Sequence, residues 1–73
     1  MIEVKGIVKY ERDGHNHVDV LVAEDPNSGY VTHQVGVDIE VNRGKILTFL
    51  SAMYGIPPGH IVWPAHIQTE TGG

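Results

Sequence analysis

An α+β fold is predicted for this chain: a three-stranded antiparallel meander, one amphipathic helix packed on one face, and a short fourth strand. Three observations predict it. Apolar and polar side chains alternate from Ile2 to Val41, the spacing of half-buried strands. Clusters of turn-forming residues divide that stretch. Between Asn42 and Gly55 the apolar spacing changes to that of a helix.

In the first strand Ile2, Val4, Val8 and Tyr10 occupy even positions, and Glu3, Lys5, Lys9 and Glu11 odd ones. Arg12-Asp13-Gly14 reads as a three-residue loop with Gly14 in the left-handed region. That register sets Glu11 opposite His15 and Val8 opposite Val18, so Val18, Val20 and Val22 share a face with Val4 and Val8. Glu24-Asp25-Pro26-Asn27-Ser28-Gly29 ends the second strand. The third is predicted from Tyr30 to Val41, with Val31, His33, Val35, Val37, Ile39 and Val41 facing inward and Gly36 marking a bulge. Asn42 is a good N-cap, and Ile46, Leu47, Phe49, Leu50, Met53 and Tyr54 recur at helical spacing, predicting a helix from Arg43 to Tyr54. Gly55 supplies a left-handed stop, Ile56 folds back, and Pro57 and Pro58 forbid continuation. His60 to Trp63 is predicted as the fourth strand, with Ile61 and Trp63 facing the helix and Pro64 ending it. Residues 1–67 form one compact domain, and the polar tail 68–73, with nothing to bury, is expected to be disordered.

The 73 residues, 41% of them apolar, allow one thin core. With no cysteine, packing rather than disulfides must stabilise it, and a cytoplasmic location follows as the default. No apolar run approaches the ~20 residues of a membrane span. The net charge is −4 and the cations Lys5, Lys9, Arg12, Arg43 and Lys45 form no run, which argues against nucleic acid as a ligand. An acidic surface of this kind suits basic patches on other proteins.

The most chemically suggestive cluster is at the first hairpin, where His15, His17 and Asp19 share a strand face and Glu11 lies across from His15. Such a nitrogen and oxygen set suits zinc or a similar ion. The competing reading, a solvated polar hairpin end, is preferred, so no metal and no cofactor is expected. His33, on an apolar face, reads as a core histidine with one hydrogen bond. There is no nucleophile motif or phosphate loop, Asp38 and Glu40 lack an acid-base partner, and a core this thin leaves little space for a pocket of ~300 Å³. The chain is therefore read as a binder, not an enzyme. Ile7 and Leu21 are apolar residues on otherwise polar strand faces and, with Ala23 and Tyr30, form a predicted patch. Lys5, Lys9, Asp19, Asp38 and Glu40 would give that patch a charged rim suited to a protein partner, or to a second copy on the open sheet face. Trp63 is expected inside; exposed, it would anchor an interface.

The hairpin, the helix through Met53-Tyr54, Pro58-Gly59 and then Ile61-Val62-Trp63-Pro64 resemble the layout of small phage-encoded proteins that disable host machinery, among them inhibitors of bacterial RNA polymerase and anti-CRISPR proteins. The resemblance implies a stoichiometric regulator or inhibitor from a phage or other mobile element, acting on a host complex such as the transcription machinery. Gly55-Ile56-Pro57-Pro58 after the helix, together with Gly72-Gly73, is similar to ubiquitin-like proteins and implies a carrier using its terminal glycine. The strand count and the polarity of Gln68-Thr69-Glu70-Thr71 depart from that pattern.

Overall fold

The computed structural model describes residues 2–27 and 29–72. In chain order these form β1 (Glu3–Arg12), β2 (His15–Ala23), β3 (Tyr30–Val37), α1 (Arg43–Tyr54), a 3-10 turn (Pro58–His60) and β4 (Gln68–Gly72). The sheet order is β3-β2-β1-β4. β1, β2 and β3 make the antiparallel meander that alternation predicts, so the fold is α+β.

The first hairpin closes differently from the prediction. Arg12 pairs with His15, leaving a two-residue loop of Asp13 and Gly14. Both have positive φ, 53° and 79°, as a type I′ turn requires, and the twist of that turn matches the twist of the strands it joins. Shortening the loop by one residue flips the facing of β1 relative to β2: Ile7 lies opposite Val20 and Val8 opposite Asp19. A bulge between Val4 and Gly6 then flips it back, so Val4 still meets Val22. The apolar side of β1 is therefore Val4 and Ile7, not Val4 and Val8.

β3 stops at Val37, short of the predicted Val41. A bulge falls where Gly36 suggested one: Val18 pairs with Gly36 and Asp19 with Gln34, leaving Val35 extra. Past Val37 the chain turns sharply at Asp38, whose φ is 54°. The strap 38–41 then crosses Gly36 closely, and a β-carbon there would lie 2.8 Å from Ile39 Cγ1 and 2.9 Å from Val41 Cγ2.

α1 has the predicted limits because its end signals are local. Asn42 Oδ1 accepts from the Lys45 N–H at 2.9 Å, and Gly55, at φ 66°, donates to the Ser51 carbonyl. Ile46 and Leu50 lie in one apolar cluster with Val4, Val20, Val22 and Ile61, against which Ile7, Val31, Trp63 and others pack. Trp63 is half-buried there, with the Arg43 guanidinium 5.5 Å above its ring.

The predicted fourth strand, His60 to Trp63, is reduced to a 3-10 turn and one parallel bridge between Glu3 and Val62. The Val4 N–H donates to the Val62 carbonyl at 3.0 Å, and the Val62 N–H to the Ile2 carbonyl at 2.8 Å. The tail is not disordered over 68–72: β4 runs parallel to β1 from Gly6 opposite Gln68 to Tyr10 opposite Gly72. Gly73 lies outside the described residues. Strand pairing joins backbone to backbone, so a polar segment is able to form an edge strand. Among the described residues, no helix is long and apolar enough to cross a membrane.

Candidate functional site

The helix, the strap 38–41 and the segment from Ile61 to Ile67 all lie on the side of the sheet that carries Val4, Val20 and Val22. The other side has no described element over it. The pairings place Val8, Tyr10, His17, Asp19, Leu21 and Thr32 there. Val8 and Leu21 are half-buried by their strand neighbours, and Gly6 lies directly across from Leu21.

Beside this apolar centre the Tyr10 and His17 rings stack with centroids 5.0 Å apart, and the Arg12 guanidinium sits 5.4 Å over Tyr10. Partial desolvation raises the Tyr10 pKa, and a hydrogen bond to the Asp19 carboxylate and its charge push the same way, against a smaller opposing effect of Arg12. Asp19 Oδ1 and His17 Nδ1 are buried without a hydrogen-bond partner among the described residues.

The predicted patch does not assemble as drawn. Ile7 turns to the helix side and packs against the core cluster, because the two-residue hairpin reverses its facing. Lys9, opposite Val18, follows it for the same reason. Leu21, Asp19 and Tyr30 remain on the helix-free side, with Tyr30 64% exposed at one end. Lys5 sits in the bulge, 3.1 Å from Glu3. Glu40 lies exposed in the strap instead of on a strand face.

Asp38, expected as a rim charge, is exposed and also clamps two strands together. Its carboxylate accepts from the His15 ring at Nδ1 and from the Asn16 N–H at 2.7 Å, while its own N–H donates to the Asn16 carbonyl at 2.7 Å. These contacts pin the end of β3 to the start of β2. They also separate the proposed metal ligands, since His15 is engaged by Asp38, and Glu11 lies opposite Asn16. Among the described residues no group of three or more His, Asp or Glu is placed to hold a metal ion.

The hydrogen bonds from His15 and Asn16 hold the Asp38 carboxyl below its ordinary value of 3.8. A depressed carboxyl stabilises the fold fully above its unfolded value, and that contribution disappears as pH falls through the lower folded value. Asp38→Asn should therefore reduce stability at neutral pH and flatten the acid limb below the ordinary carboxyl value, as measured by circular dichroism melts across pH.

Tyr54 and Glu24, which the sequence marks only as a helix residue and a turn residue, join His33. The Tyr54 hydroxyl donates to Glu24 Oε2 at 2.6 Å, so the contact of 2.7 Å between His33 Nε2 and the same hydroxyl is an imidazole N–H donating to it. His33 is half-buried at the margin of the core, not inside it as expected, and has the expected hydrogen-bond partner. Burial, the bond to Glu24 and the charge of Glu24 push the Tyr54 phenol up to about 12. The spacing of Tyr54 at the last helical position marks only its apolar ring.

The surface is more hollowed than a thin core suggests, with open clefts of about 450, 470 and 570 Å³. The largest of these three is lined by Ile2, Ile56, Gly59, His60 and Val62. The cleft of about 470 Å³ runs beside the strap, over Val18, Ile39 and Val41 with Lys9, Glu11 and Glu40 at its margin.

No family model, curated protein or solved structure matches this chain.

Proposed function

We propose that this chain is a small non-enzymatic module that docks a protein partner on the helix-free face of its sheet. The observation that supports the reading is the composition of that face: Val8 and Leu21 at its centre, the Tyr10 and His17 stack beside them, Asp19 and Arg12 around them, and no described element above. An apolar centre with aromatic groups and a charged margin is the composition of modest protein interfaces. These residues come from the paired strands β1 and β2, so the surface is pre-ordered by backbone pairing. The layout resemblance to phage-encoded inhibitors makes a regulator of a host complex, such as the transcription machinery, the specific form of this proposal.

The test is affinity capture from bacterial lysate with tagged wild type, Leu21→Asp and, as a control on the opposite side, Lys45→Glu. Leu21→Asp places a carboxylate at the centre of the surface and should lose the captured protein, while Lys45→Glu keeps it. Melting curves of both variants establish that they fold. Equal capture by wild type and folded Leu21→Asp rules the face out as the docking surface.

A further inference from the structure

β3 lies at one edge of the sheet. The Asp38 N–H reaches the Asn16 carbonyl, so Asn16 turns its backbone groups toward β3. No residue of β2 is skipped in either pairing, so Val18, Val20 and Val22 do the same by alternation. Their partners Val31 and His33 therefore point their backbone groups into the sheet, opposite Val22 and Val20. Tyr30, Thr32 and Gln34, the residues between, aim their N–H and C=O groups outward, where no described strand meets them.

An open edge of this kind is usually protected by charge, by proline, or by a bulge. The segment Tyr30–Val37, YVTHQVGV, contains no Lys, Arg, Asp, Glu or Pro, and its bulge at Val35 leaves Tyr30 to Gln34 regular. We propose that this half of β3 pairs antiparallel with β3 of a second copy of the chain, about a twofold axis through Thr32.

The register is fixed by the geometry. Centring on Thr32 sets Thr32 against Thr32, Tyr30 against Gln34 and Val31 against His33. Each pair then lies on one side of the joined sheet, since Tyr30, Thr32 and Gln34 share the helix-free side and Val31 and His33 the helix side. All three outward residues become hydrogen-bonded pairs, giving about six backbone hydrogen bonds. Threonine facing threonine is a favourable cross-strand pair, and the 64% exposed Tyr30 gains a neighbour in Gln34 of the second copy. The contact strand is uncharged, so the net charge of −4 on each copy opposes association only from a distance, where salt screens it.

The experiment is sedimentation velocity on the full chain from micromolar to near-millimolar concentration, at low and high salt. Wild type should move from the 8.0 kDa monomer toward twice that mass, more completely at high salt. Thr32→Pro removes an N–H that has no partner among the described residues, and should remain monomeric with a near-unchanged melting curve. Thr32→Lys, which sets like charges against each other on the axis, should weaken association at least tenfold and decides the matter if the proline variant does not fold. A wild type that stays monomeric throughout, or folded variants that associate as wild type does, overturns the proposal. Because the readout is self-association in purified protein, it is independent of whether the sheet face captures a foreign partner.

Discussion

Leu50→Ala should destabilise the fold by about 2–5 kcal/mol, the range for a leucine truncated in a packed core. Leu50 is fully buried in the cluster with Val4, Val20, Val22, Ile46 and Ile61, so its side chain joins α1 to β1 and β2 together. Total stability scales at roughly 0.05–0.15 kcal/mol per residue, which leaves a small domain little reserve against such a loss. For a domain of this size each kcal/mol is worth roughly 4–8 °C, so the melting temperature should fall by about 10 °C or more. Met53→Ala is the matched control: the same helix, but a side chain 46% exposed, for which a loss within about 0.5 kcal/mol is expected. Denaturant titration of both variants checks the pair. Equal losses would mean that the helix is not held through Leu50.

The same cluster explains what could be read from the sequence and what could not. The limits of α1 are written locally, in Asn42 and Gly55, and no tertiary contact is needed to decode them. Facing in β1 is not local. A three-residue loop without a bulge and a two-residue loop with a bulge both bring Val4 onto the side of Val18, Val20 and Val22, because the two one-residue shifts cancel there. Periodicity cannot separate these solutions, yet they exchange Ile7 and Val8 between the faces. The separating signals are chemical: Asp13-Gly14, a pair suited to the type I′ turn, and Gly6, a glycine inside a strand beside a bulge.

The helix-free face, proposed above to dock a partner, is accordingly half legible in the sequence. Leu21 and Asp19 belong to β2, whose alternation is regular, and they lie where the sequence placed them, while Ile7 belongs to the bulged strand and does not. The clamping contacts of Asp38 are illegible for a different reason. An aspartate in a left-handed conformation ends the strand and turns its carboxylate back onto the β2 backbone, and polarity alone does not distinguish that role from a solvated rim charge. β4 is not legible in the sequence because hydrophobic pattern reports side-chain burial, and an edge strand needs only its backbone.

Gly36→Ala should cost about 1–3 kcal/mol, the range for overpacking, although the backbone of Gly36 has no positive φ and alanine suits a strand as well as glycine does. The cost comes from the strap. A β-carbon at this position meets Ile39 Cγ1 at 2.8 Å, Val41 Cγ2 at 2.9 Å and Ile39 Cδ1 at 3.1 Å, so the strap must lift. Lifting it strains Asp38 at its root, and with it the hydrogen bonds to His15 and Asn16 that close β3 onto β2. This mechanism makes a second prediction that simple loss of strand propensity does not. Ile39→Ala removes two of the three close atoms from a side chain already 51% exposed, and so should cost little alone. Combined with Gly36→Ala it should restore part of the lost stability, a favourable coupling of about 0.5 kcal/mol or more between neighbouring sites. Chemical denaturation of the two single variants and the double variant measures that coupling. Strict additivity would show that the strap does not rest on Gly36, whereas recovery identifies this close approach as the reason for a glycine beside the bulge.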